Sequence, residues 1–174
     1  RQKLIMIWQE SDVIEFKESL NELSSEHGRS TDAIAALVSF SNLKGGTVYF
    51  GVKNDGTILG LNISEKTLID VANRITETTD PQLIAEVRIE EQDNKTILAC
   101  IVSESDAKPH KYKNIPYLRS GSATKPMPDG VYTQMLAQRP ANLDLTSQTI
   151  LNTSVDDLSE KALNRFKELL FKKN

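Results

Sequence analysis

Residues 31–60, TDAIAALVSFSNLKGGTVYFGVKNDGTILG, read as a helix, a tight turn and a hairpin, and the rest of the chain is placed around them. Behind a Ser30-Thr31-Asp32 start, Ala33, Ile34, Leu37, Val38, Phe40 and Ser41 recur at helical spacing, which predicts a short amphipathic helix. Gly45-Gly46 ends it. Thr47 to Val52 (TVYFGV) is β-branched and aromatic and predicts a strand. Asn54-Asp55-Gly56-Thr57 is a turn in which Gly56 can take positive φ, and a second strand is expected through Ile58 and Leu61.

N-terminal to this unit, Leu4, Ile5, Ile7 and Trp8 are expected to form a short apolar element that packs on the domain. Asp12 to Lys17 alternates as a strand, with Asp12, Ile14 and Phe16 on one face and Val13, Glu15 and Lys17 on the other, so Glu15 and Lys17 point the same way. Asn21 to Arg29 reads as a loop. C-terminal to it, Ser64 caps a helix through about Thr78, with Leu68, Ile69, Ala72 and Ile75 as its stripe. Ala85 to Gln92 and Thr96 to Ser103 form a hairpin turning at Asp93-Asn94, its second strand apolar enough to be central. Ile115 to Arg119 is a last strand, which Pro116 places at an edge; Gly121 to Thr124 is a loop, and Pro128-Asp129 starts a short helix to about Ala137.

From Arg139 to Asp157 the chain is polar, and the spacing then predicts a helix capped by Ser159 and running to Lys172, with Leu163, Phe166, Leu169 and Leu170 as its apolar stripe. Strands and helices alternate without regular βαβ spacing. The fold class expected is α+β: a single domain over 1–138 with a mixed, largely antiparallel sheet flanked by helices, then a connection and amphipathic C-terminal helix over 139–174 leading into a downstream region.

The 174 residues, 39% hydrophobic and 26% charged, suit one soluble globular domain with a sizeable core. No apolar run approaches the ~20 residues of a membrane span, and RQKLIMIWQE is too short and soon too acidic for a signal peptide, so no membrane partner and a cytoplasmic location are expected. The single cysteine, Cys100, falls in an apolar strand and reads as a buried, inert thiol. Starting at Arg1 and ending in a helix, the sequence reads as a fragment of a longer protein.

Charge is segregated. The net charge is −3, yet Ala107 to Pro128 holds Lys108, Lys111, Lys113, Arg119 and Lys125 with no Asp or Glu, so the remainder carries −8. His110, Tyr112 and Tyr117 are interleaved with these cations. Cations set a phosphate backbone and tyrosines stack on bases, the combination used by binders of single strands and structured RNA; a solvated lysine-rich loop is the plainer reading of the same residues.

Glu10 to Lys17 with its EFK, Phe40-Ser41-Asn42, the GG-x-V-x-F-G-V of Gly45 to Val52, the D-G-T-I-x-G of Asp55 to Gly60 and the Y-x-R-x-G-S of Tyr117 to Ser122 come in an order that resembles the Schlafen-type Alba domain. That family, once labelled divergent AAA, stands at the N-terminus of bacterial proteins named as transcriptional regulators or ATP-dependent helicases. The resemblance covers roughly residues 8–128. It implies a DNA- or RNA-binding module in which Lys17, Lys44, Lys53, Lys108, His110, Lys111, Lys113, Tyr117, Arg119, Ser122 and Lys125 face nucleic acid, with Arg119 foremost because Gly121 lets the backbone approach a phosphate.

Two further readings stay open. In the Schlafen ribonucleases, two Glu five apart and an Asp just after the G-V strand hold Mg²⁺ or Mn²⁺; Glu10 and Glu15 match the first two positions, while the third falls at Lys53-Asn54 with Asp55 adjacent. This gives a metal-dependent endoribonuclease with Glu10 and Glu15 as metal ligands and Asp55 beside them. The other reading is a protein-interaction module, either a homodimer or one docked on a downstream domain. ATP is not expected at Asn42 to Gly46, since G-x-x-x-x-G-K-[ST] is absent and the glycines follow a helix instead of preceding one. His27 and His110 lack a neighbouring Ser or Cys motif, so no triad is expected.

Overall fold

A computed structural model describes residues 8–140 of the chain. The first helix, α1 (Ala33–Ser41), is buried along its whole length. The expected one-sided helix is therefore corrected: a helix apolar all round is a core helix. Its two hydroxyls off the apolar pattern are Ser39, which donates to Ala36 O at 2.7 Å, and Ser41.

Two sheets cover α1. The first has the order β1 (Ile14–Lys17), β2 (Gly45–Phe50), β5 (Lys95–Ser103), β4 (Glu86–Gln92); β1 runs parallel to β2 and the other pairs are antiparallel. The second has the order β3 (Thr79–Asp80), β6 (Lys111–Tyr112), β7 (Ile115–Ser120), β8 (Ala123–Pro126), all antiparallel. Strands β1, β2 and β5 of the first sheet and β6, β7 and β8 of the second all touch α1. The α+β class with largely antiparallel pairing is as expected, but the strands divide between two sheets.

The Gly45-Gly46 turn is forced by close approach. Gly45 has φ +85°, and a Cβ there would lie 2.7 Å from Val102 O; one on Gly46 would lie 2.7 Å from both the Phe40 ring and Val13 O. Only a backbone without side chains lets β2 leave the end of α1 so tightly.

The hairpin β4–β5 turns at Asp93 and Asn94, both at positive φ, and β5 is central with Ile97 to Cys100 fully buried. Burial pushes the Cys100 thiol up to about 12. The strand expected after Gly56 reduces to one bridge, Val52 to Ile58. Both edges of β2 are already occupied, by β1 and β5, so the returning chain cannot extend the ladder and instead bonds Gly51 O and Thr96 O on its way to the next helix.

Helix α2 (Glu65–Glu77) starts at Ser64, whose hydroxyl accepts from Thr67 N. Its inward stripe is Leu68, Val71 and Ile75, and Ile69 is 60% exposed, which shifts the expected phase by one position. In the second sheet β7 is central, not at an edge. Pro116 is tolerated because the β7–β8 ladder begins at Tyr117 opposite Pro126, leaving Pro116 beyond its end. Of the expected 121–124 loop only Gly121 and Ser122 form the turn; Ala123 and Thr124 belong to β8.

Helix α3 (Asp129–Ala137) follows as expected. A second apolar cluster of Phe16, Val52, Ile58 and Ile97 is joined by Trp8, whose ring stacks on Phe16 at 5.7 Å. No helix among the described residues is long and apolar enough to cross a membrane. The expected element at Leu4 to Ile7 and the helix 159–172 lie outside the described residues.

Candidate nucleic-acid interface

Strand parity decides which members of the basic segment meet solvent. In β7, Tyr117 and Arg119 turn inward against α1 and are buried, while Pro116 and Leu118 take the other face. Lys111 stands in register with Pro116 and Lys125 with Leu118, so both lysines share that outer face. Lys125 is exposed; Lys111 is partly covered, 3.7 Å from an Asp80 oxygen and 6.0 Å from the Tyr132 ring centre.

Arg119 was the foremost phosphate ligand expected, and the fold uses it otherwise. Its side chain is 1% exposed. The guanidinium donates to Ser11 O at 2.9 Å, Ile14 O at 3.1 Å and Thr124 Oγ1 at 2.9 Å, and lies over the Phe40 ring at 5.0 Å. Its Nη2 also stands 2.7 Å from Glu15 Oε2, an ion pair whose alignment falls short of a hydrogen bond. Glu15 Oε1 accepts from Lys17 Nζ at 2.7 Å, which confirms that Glu15 and Lys17 share a face. Lys17 is thereby buried as well. These three charges tie β1 to the second sheet, and neither cation is open to a phosphate.

His110 and Tyr117 are also enclosed, so neither can stack on a base. Tyr112 is buried and donates its hydroxyl to Asp32 Oδ2 at 2.9 Å. Burial raises the Asp32 carboxyl, but bonds from the Ser25 hydroxyl, the backbone N–H groups of Arg29 and Ser25, and Tyr112 outweigh it and hold the group below its ordinary value. Lys113, in the turn between β6 and β7, donates to Ser25 O at 2.5 Å and to Glu26 O, and Lys108 pairs with Glu104.

Among the remaining predicted residues, Lys53 and Ser122 are exposed, and Lys44 is exposed while donating to Asp12 Oδ2 at 2.7 Å. That bond lowers the Asp12 carboxyl and raises the Lys44 ammonium from their ordinary values. Among the described residues, Lys53 and Lys125 have no carboxylate within ion-pair distance.

The predicted acidic metal site is not assembled. Glu10 Oε1 accepts from Phe16 N at 3.1 Å, Glu15 is held between Lys17 and Arg119, and Asp55 is exposed with Oδ1 closing a turn on Thr57 N at 2.9 Å. Among the described residues no three His, Cys, Asp or Glu side chains stand where one metal ion could be held. Mg²⁺ and Mn²⁺ ask for several converging oxygens, and these three carboxylates do not fit that need.

A residue the sequence reading left without a role is Asn42. Buried at the end of α1, it donates from Nδ2 to His110 O and Tyr117 O, both at 3.0 Å, and accepts at Oδ1 from His110 N at 2.7 Å. A carboxamide following an apolar helix was the available signal.

Compared with known proteins, residues 10–128 match the family described as Schlafen, AlbA_2. The DIP2311 protein from Corynebacterium diphtheriae is similar in fold, with a TM-score of 0.54 and 15% identity, over 74% of this chain and 27% of that one. The N-terminal domain of a RecG-related protein from Nitrosomonas europaea aligns over 68% of this chain and 84% of its own, at 24% identity and a TM-score of 0.49. The chain thus spans about a quarter of the DIP2311 protein's length. No curated protein matches in sequence.

Proposed function

Because this chain belongs to the Schlafen AlbA_2 family, we propose that it is a nucleic-acid-binding module of a longer protein, holding the phosphate backbone with lysines on the outer face of its second sheet. The observation that carries this reading is the parity of the basic segment. Lys111 and Lys125 face outward from β6 and β8, and the acid-free stretch 107–128 supplies no carboxylate of its own to that face. Lys44, Lys53, Lys108 and Ser122 are further contacts consistent with it.

A lysine is a compact point charge and does not offer arginine's bidentate fork. Contacts of this kind position a nucleic acid without reading its sequence. The module therefore grips backbone, and specificity comes from elsewhere in the longer protein.

Fluorescence anisotropy with labelled single-stranded DNA, duplex DNA and RNA, titrated from about 50 to 200 mM salt, tests this. Affinity is expected to fall linearly with salt on logarithmic axes, and Lys125→Ala to reduce the slope by about one without altering the melting temperature. Absence of salt-sensitive binding to all three would sink the proposal.

A further inference from the structure

A cavity of about 400 Å³ opens where the end of α1, β5 and the segments 82–86 and 103–110 meet. His110 is buried in its wall. Its Nδ1 lies 2.6 Å from Pro81 O, and a carbonyl only accepts, so the ring proton is on Nδ1. Nε2 is then a free acceptor, and Ser105 Oγ, 2.7 Å away, donates to it. Ser105 Oγ in turn accepts from Ala107 N at 3.0 Å. This is a hydroxyl on an imidazole base whose tautomer is fixed by a third group, the arrangement that activates a serine nucleophile.

A second hydroxyl lies behind the wall without reaching the space. Ser41 Oγ is fully buried and, among the described residues, has no hydrogen-bond partner. Ser105 N donates to Ser41 O at 2.9 Å, which holds the two residues side by side.

From these groups we infer that the cavity is an acyl-transfer site, with Ser105 as nucleophile and His110 as base, acting on a small uncharged carboxylic ester. Leu83, Ile101 and Ala107 give an apolar wall for the acyl chain. Glu86 and Glu104 add negative charge, while their partners Arg88 and Lys108 do not line the space, so phosphate and carboxylate substrates are disfavoured. In the step itself Ser105 Oγ bonds to the acyl carbon as its proton passes to His110 Nε2. The ester C–O bond then breaks, and the leaving alcohol takes that proton. Water, deprotonated by the same nitrogen, cleaves the acyl-serine and restores both groups.

An alkyl fluorophosphonate bearing a tag, followed by peptide mass spectrometry on the full chain, tests the inference. An adduct on Ser105 is expected, lost in Ser105→Ala, retained at the wild-type rate in Ser103→Ala, and formed at least tenfold more slowly in His110→Gln. An unlabelled Ser105, or a labelling rate unchanged by His110→Gln, overturns it. Should His110→Gln fail to fold, the wild-type rate serves instead. It is expected to rise with pH as His110 loses its proton, with Asp80 and Arg139 the charged groups acting on that ring in opposite senses, and then to level off. A rate that climbs without a plateau counts against the base.

Discussion

Asn42 shows what one side chain can decide in this fold. Its NH₂ faces two carbonyl oxygens and its oxygen faces one N–H, from Tyr117 in β7 and from His110 just before β6. Asn42→Asp sets oxygen against both carbonyls, so we expect a loss of about 3 kcal/mol or more in urea unfolding, at unchanged m value. His110 supplies a pH dependence. Burial holds its pKa below the ordinary 6.5, so as pH falls beneath 6.5 the unfolded chain takes up the proton first and stability drops. Asp32, held below 3.8, adds a second loss at more acid pH. The difference in unfolding free energy between about pH 7.5 and pH 5 is expected to shrink in His110→Gln. Neither role was legible in the sequence. Phe40-Ser41-Asn42 stood out as a motif, but the partners of Asn42 lie 68 and 75 residues away. The error over Arg119 has the same origin: its burial follows from which face of β7 meets α1, and no local pattern states that.

At the scale of elements, periodicity locates a helix better than it phases one. Helix α2 was placed within a residue of its ends, yet the apolar positions 68, 69, 71, 72 and 75 accommodate two overlapping stripes. Packing selected Val71 and left Ile69 in water. Val71→Ala is therefore expected to cost about 2 kcal/mol, and Ile69→Ala to stay within about 0.5 kcal/mol, by the same unfolding measurement. Helix α1 was misread in the opposite sense. Nine residues with so few polar side chains have no solvent face to lose, and the second sheet that encloses them is made of strands two to six residues long. Runs that short fall below what alternation can resolve.

For the molecule as a whole, the hairpin, its central strand and the helix preceding β2 were legible because each is fixed by neighbours in sequence. The division into two sheets around α1 was not, since it depends on pairings between distant segments. That layering sets where the structure opens. Amide hydrogen exchange in α1 and β5, enclosed from both sides or central in a sheet, is expected to require global unfolding, whereas α3, with no fully buried residue, should exchange through local opening. Equal protection of α1 and α3 would contradict the layered arrangement. One consequence concerns synthesis on the ribosome. Strand β1 is made well before the arginine that ties it to the second sheet, whose guanidinium pairs with Glu15 and bonds Ser11 O from 108 residues beyond Ser11. Until that arginine has left the exit tunnel, β1 is held only by its pairing with β2 and by the Lys17 that balances Glu15. During translation the first sheet can therefore assemble around β1 and β2 well before the arginine arrives to tie that sheet to the second one.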